Sequence, residues 1–298
     1  MATYGVNVDG ERIFNNFQYL AEDLETITAT GFDFAEISIS GLEVINNAQL
    51  IPEKVGKVKK ILNQFDLQYC FHAPDPLNLA SLIDPDMEVS IAKVIMDFME
   101  EVNSKLLVTH PGYIPYGTTS GHLPVEKARK TFLDCLKECG SYAQTKGITL
   151  CVENLPVKGS RFCFGERVDA LCATVDEVGM ENVKIAFDFG HALSSCNYFN
   201  LDLLEEVRKV VDYTQHIHIH DAHGKGVTGL NDQPLKERVV YGTCHHLPLG
   251  WGKVPYVKGL GLLKKRKVLT IALELRPRYR DYYKKNLEEL KYRMGELT

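Results

Sequence analysis

Eight times along the chain, a short β-rich run gives way to a longer segment of helical period, and this alternation restricts the fold more than any other feature of the sequence. The runs are Tyr4–Val8, Phe32–Ile39, Leu67–His72, Lys105–His110, Ile148–Glu153, Val183–Asp188, Thr214–His220 and Lys267–Glu274. After the first run, Phe14, Phe17, Leu20, Ala21, Leu24 and Ile27 share one helical face and Gly31 supplies a stop. Val55, Val58, Ile61, Leu62 and Phe65 mark the next stripe, and Ile91, Ile95, Phe98 and Val102 the third. Pro124 opens and Gly147 closes the fourth, and further helices are expected near 167–179, 200–212, 255–266 and 281–296. Parallel strands with helices on one side leave no open edge when they close, so the expectation is α/β, a single (β/α)8 TIM barrel over 1–298 with a long insertion after strand seven. An open doubly wound sheet is the competing topology, but no GxGxxG follows the first run.

Composition narrows the setting. With 298 residues, 45% of them hydrophobic, the chain can bury a large core. A net charge of -5 provides no global basic field for nucleic acid. Eight cysteines without a CxxC spacing, several inside apolar runs (Cys70, Cys135, Cys151, Cys172), suggest reduced thiols and a cytoplasmic protein. No window approaches the roughly 18 apolar residues of a membrane span, and the N-terminus lacks a signal-peptide pattern, so no membrane partner is expected.

Polar residues gather where the strands end. His72, His110, Glu153, Asp188, a histidine of the HIHIHD run and Glu274 close strands three to eight in succession. In a closed barrel those ends meet at one mouth, where active sites are built. FHAP and THPG turn the chain directly after His72 and His110, which places both at exposed mouth positions. Several carboxylates crowded into one partly dry mouth repel each other, and a divalent cation is the simplest way to hold them together. Glu153, Asp188 and Glu274 with a neutral imidazole make a mixed oxygen and nitrogen set suited to manganese or zinc, with magnesium or cobalt as further options. His216, His218 and His220 share one face of strand seven; His216 lies deeper, and spacing alone does not choose between the other two. Glu36 either reaches the mouth or pairs with a cation at the barrel rim. The segment from Asp221 to Val254 reads as a substrate cover carrying His246, within which Trp251 packs over a substrate or anchors the loop.

Taken in order, HAPDPLNLAS from His72, THPG from His110, VENLP around Glu153, FDFGHA from Asp188, HIHD from His218, HHLPLGWG around His246 and LELRP around Glu274 resemble the xylose-isomerase-like barrel superfamily. That superfamily includes sugar isomerases and epimerases and the zinc-dependent apurinic/apyrimidinic endonucleases of the endonuclease IV type. The resemblance implies a central metal set of Glu153, Asp188, His218 and Glu274, selects His218 through HIHD and leaves His220 outside. Its endonuclease branch implies additional ligands at His72, His110, His191 and His246. Cys244 stands where that branch has an Asp, and Asp75 in HAPD replaces an aromatic and would repel phosphate.

These departures, with the net charge, favour a divalent-metal-dependent isomerase or epimerase of a sugar, sugar phosphate or related polyol. Glu153 and Glu274 are the expected proton-transfer residues and His191 and Arg276 the expected substrate binders, with a rim salt bridge as the other role for Arg276. The partner is then a small carbohydrate-like molecule. The alternative is a zinc-dependent abasic-site endonuclease, the only reading that brings in nucleic acid. A third is a barrel that keeps its metal for structure or ligand sensing. Oligomeric state is left open.

Overall fold

The structure, a computed structural model, describes residues 2–14, 16–115, 124–159, 161–224, 246–264 and 269–296. Eight parallel strands close into a barrel: β1 (Ala2–Val8), β2 (Phe34–Ser38), β3 (Gln68–His72), β4 (Leu106–Thr109), β5 (Thr149–Glu153), β6 (Val183–Asp188), β7 (Thr214–Ile219) and β8 (Leu269–Leu273). Each pairs with its neighbours in sequence, and β8 returns to β1. No sheet edge is left open, as the βα alternation required.

Long helices follow the apolar stripes. They are α1 (Phe17–Thr30), α2 (Pro52–Leu62), α3 (Pro85–Glu101), α4 (Val125–Thr145) and α5 (Val168–Val178). Local chemistry sets their ends: Asn16 and Asp84 accept hydrogen bonds from Gln18 N and Met87 N at the starts of α1 and α3, and Gly31 ends α1 in the left-handed region. The region after β6 departs from expectation, because two helices stand where one was predicted: α6 (Phe189–Phe199) and α7 (Leu203–Val210). In FDFGHALSS the strand's apolar run passes into the helix without a turn residue, and Asp188 ends the one element while capping the other. Further on are α8 (Tyr256–Leu263) and α9 (Tyr283–Met294), and short helical turns stand at Gly10–Ile13, Ile39–Gly41 and Pro277–Tyr282. Two small hairpin-like sheets, Ile45–Asn46 with Gln49–Leu50 and Tyr113–Pro115 with Arg161–Cys163, were not anticipated.

Two apolar compartments position the site. The larger lies between strands and helices and includes Leu24, Ile37, Phe98 and Ile217. Inside the barrel are only small clusters, Phe34 with Cys70 and Ala272, and Val108 with Cys151 and Ala186. A Cβ at Gly5 would lie 2.3 Å from the Phe34 ring, so glycine there lets Phe34 fill the barrel floor. No described helix is long and apolar enough to cross a membrane. The seven described cysteines are free and buried; Cys244 and residues 225–245 of the expected insertion lie outside the described residues.

Candidate metal centre

Register brings the polar residues to one level. Asp188 and His218 are direct partners across β6 and β7, and Ala186 pairs with Glu153 across β6 and β5. Glu274 follows β8 immediately, its amide bonded to Ile219 O of β7. Period two along each strand turns these side chains into the barrel.

Glu153, 1% exposed, is the hub. Its Oε2 lies 3.2 Å from His72 Nε2 and 3.4 Å from His110 Nε2, and its Oε1 lies 3.1 Å from both His191 Nδ1 and His218 Nδ1. His218 Nδ1 is also 3.5 Å from Glu274 Oε2. Asp188, fully buried, accepts the His191 backbone N–H at 2.6 Å through Oδ1 as the cap of α6, and its Oδ2 lies 3.2 Å from His220 Nε2. Ligand atoms of Glu153, Asp188, His218 and Glu274 all lie within 4.8 Å of one another. The same holds for His72, His110 and Glu153, and for His191, His220 and His246.

Charge balance explains what such a cluster accepts. Burial alone would raise the Glu153 carboxyl, but His218, with hydrogen bonds from His110, His191 and His218, outweighs it and holds the group well below the usual carboxylate range. For Glu274 burial is the largest influence; His218 opposes it and the Glu153 and Asp188 carboxylates add to it, leaving the carboxyl pushed up to about 7. Asp188 Oδ2 and Glu274 Oε2 are buried without a hydrogen bond among the described residues, although imidazole nitrogens stand nearby. Two carboxylate oxygens without a hydrogen bond, with imidazole nitrogens and further carboxylate oxygens this close, leave donor atoms for a cation. The donor set therefore fits a divalent cation of the manganese or zinc kind.

Several positions differ from the sequence reading. His72 and His110, read as exposed, keep only 12% and 10% of their side chains accessible. Glu36 is neither at the rim nor at the mouth: it is buried beneath the cluster, with Oε2 2.8 Å from His216 Nε2 and Oε1 2.9 Å from His218 Nε2. His220 belongs with His191 and His246, and its ring stands 4.4 Å from that of His246. Arg276 is exposed and makes no ion pair among the described residues, although its charge acts on His246. Trp251 stacks edge-on against Tyr279 and Tyr282, the anchoring role.

Three supporting residues escaped the sequence reading. Asn154, next to Glu153, holds the backbone of Asp188. Gly190 admits the His220 ring, since a Cβ there would sit 2.0 Å from His220 Cε1. Asp221, 1% exposed, accepts backbone N–H groups from Ala222, Gly250 and Val254 and so ties down the segment that carries His246. The glycine of DFGH and the Asp of HIHD were visible signals for two of these; Asn154 had only its neighbour Glu153.

The profile of a family described as xylose isomerase-like TIM barrel matches residues 24–293. In sequence the chain is 25% identical over 250 residues to uncharacterized protein MJ1311 of Methanocaldococcus jannaschii, covering 83% of this chain and 75% of that one. It is 28% identical over 120 residues to a probable endonuclease 4 of Metamycoplasma arthritidis, 40% of each chain. Among solved structures, a D-tagatose 3-epimerase-like protein superposes with a TM-score of 0.75 at 22% identity, covering 99% of this chain and 98% of the other. D-allulose 3-epimerase from Methylomonas sp. gives 0.71 at 15% identity, with 98% of each chain covered. At these identities the structural likeness establishes the fold alone.

Proposed function

The chain belongs to the xylose isomerase-like TIM-barrel family, and on that footing we propose that it is a divalent-metal-dependent isomerase or epimerase of a sugar, sugar phosphate or related polyol. The observation that carries this reading is the meeting of three carboxylates and His218, from four different strands or strand ends, within 4.8 Å. Glu153, Asp188, His218 and Glu274 would hold the cation. Bound there, it would draw charge from adjacent oxygens of a hydroxy-carbonyl substrate and make the neighbouring C–H more acidic.

The chain's own groups then supply proton transfer. Glu153 and Glu274 enter from β5 and from the end of β8, on either side of β6 and β7, so one carboxylate removes the proton from one face of the carbon and the other returns one to the opposite face. His191, 12% accessible and fixed by Asn154 O at 3.1 Å, orients a substrate oxygen from the α6 side. Arg276, exposed just beyond Glu274, meets the outer end of the substrate. The epimerase neighbours support this choice of reaction.

A second reading rests on its own observation. The groups His72–His110–Glu153 and His191–His220–His246 offer places for further cations, and one relative is a probable endonuclease 4. One experiment separates the two: metal-loaded protein is incubated with D-allulose and other ketoses, and separately with abasic-site DNA, alongside elemental analysis. About one metal per chain with epimerisation and no incision is expected. Two or three zinc ions with incision and no sugar turnover would replace the proposal with the endonuclease reading.

A further inference from the structure

After β5 the chain loops outward and returns, closed by Leu155 N donating to Gly165 O at 3.0 Å. At the tip of this loop Lys158 and Arg161 face each other across an antiparallel bridge. Directly opposed residues in such a bridge point to the same side, and like charges placed so repel. The pair is nonetheless built in firmly. Arg161–Cys163 pairs with Tyr113–Pro115, and Asn78 holds Tyr113 from both sides, its Nδ2 donating to Tyr113 O at 3.0 Å and its Oδ1 accepting from Tyr113 N at 2.8 Å. The Arg161 guanidinium lies 4.3 Å from the centre of the Tyr113 ring. Packed on that face, it keeps its N–H edge directed away from the ring.

Neither cation has a carboxylate partner among the described residues. Among the described residues Lys158 and Arg161 form no ion pair, and Arg161 Nε is buried without a hydrogen bond. Three acids lie within electrostatic reach, and each has another partner: Glu153 four imidazoles, Glu166 the Cys163 N–H at 3.0 Å, and Asp75, 81% exposed, His110 Nδ1 at 3.9 Å. Burial first, and then Arg161, hold the Lys158 ammonium below the usual lysine range. The loop follows β5 and pairs with Tyr113–Pro115 after β4, which puts the pair on the β4 and β5 side of the mouth, where Glu153 ends its strand.

We propose that Lys158 and Arg161 form an anion subsite that receives a phosphate monoester carried by the substrate. A guanidinium fork and an adjacent ammonium supply two positive charges and several donors, which matches a doubly charged phosphate better than a singly charged carboxylate. The substrate class is then a phosphorylated hydroxy-carbonyl compound. This deepens the isomerase reading for its substrate, whereas the subsite itself needs neither metal nor turnover.

The test is therefore a binding measurement with inorganic phosphate, by calorimetry at low salt, on chelator-treated and metal-loaded full-length protein. Phosphate binds both forms, Lys158→Gln and Arg161→Gln each weaken it by about tenfold or more, Arg161→Lys keeps part of the affinity, and Lys57→Gln on exposed α2 changes nothing. Circular dichroism confirms that the variants fold. Phosphate that binds only metal-loaded protein, untouched by the two Gln substitutions, overturns the subsite and leaves the reaction assignment standing. Acetate binding as tightly as phosphate overturns the phosphate assignment. Failure of sugar epimerisation with the phosphate result intact sinks the reaction and not the subsite.

Discussion

Asn154 grips Asp188 by the backbone: its Nδ2 donates to Asp188 O at 3.0 Å while its Oδ1 accepts from Asp188 N at 2.8 Å. One side chain just after β5 thus fixes the point where β6 ends and α6 begins, and with it the angle at which the Asp188 carboxylate enters the cluster. Asn154→Ala leaves a buried N–H and a buried carbonyl without partners, a loss of about 1–3 kcal/mol. The urea midpoint falls accordingly, and metal affinity drops by roughly 10–100-fold because a group orienting a ligand has gone. Unchanged affinity for manganese or zinc would show that Asp188 needs no such hold.

The DFGH glycine is a steric requirement. A methyl group at Gly190 meets His220 Cε1 at 2.0 Å and both ring nitrogens at 2.7 Å, so Gly190→Ala must displace the ring or the helix. The expected destabilisation is about 1–3 kcal/mol, the usual range for overpacking. Nitrogen-15 NMR of the histidine rings reads the accompanying change at His220; a variant with wild-type stability and an unshifted His220 signal contradicts the packing described.

Asp221 organises its segment through three backbone donors, Ala222 N at 2.9 Å, Val254 N at 3.0 Å and Gly250 N at 2.8 Å. Asp221→Ala strands these N–H groups, at about 1–3 kcal/mol for each that water cannot reach. Because the bridge between Asp221 and Leu247 positions His246, the effect is local. Amide exchange at Gly250 and Val254 accelerates while the barrel strands stay protected. Equal acceleration everywhere would mean that Asp221 supports the whole fold.

Removing bound metal lowers the unfolding temperature, and manganese or zinc restores it. Three carboxylates share one buried cluster, and a cation that binds only the folded chain stabilises it by about 2.7 kcal/mol at a hundredfold excess over Kd. Asp188→Asn abolishes the metal-induced shift. A chelator that leaves the calorimetric transition of the wild type where it was excludes a stabilising ion.

The barrel was legible because it rests on short-range periodicity. Eight apolar runs and their stripes predict the eight strands, and the boundaries at Asp188, Glu153 and His72 agree with the structure. Helix α6 escaped because Phe187 and Phe189 continue one apolar run across the junction, and an alternating pattern does not announce where its period changes. The meeting of Glu153, Asp188 and Glu274 with a histidine of HIHIHD was readable from strand ends, since a closed barrel brings such ends together, and it was the resemblance that chose His218. Depth and partner choice were not. Whether Glu36 reaches the mouth or lies beneath His218 depends on barrel tilt, and the grip of Asn154 on Asp188 links residues 34 apart through one rotamer. Plain alternation puts His220 on the same face as His218, and it stands with His191 and His246 rather than in the group of Glu153, Asp188, His218 and Glu274.

The central claim is that Glu153 and Glu274 move a proton at a carbon beside a carbonyl. Its most direct measurement is deuterium uptake from solvent into that carbon of a turned-over ketose or ketose phosphate, followed by proton NMR with metal-loaded wild type, Glu153→Gln and Glu274→Gln, metal content being determined for each. Uptake in the wild type and its loss in both metal-containing variants is the predicted result. Undiminished uptake in both variants would contradict the account.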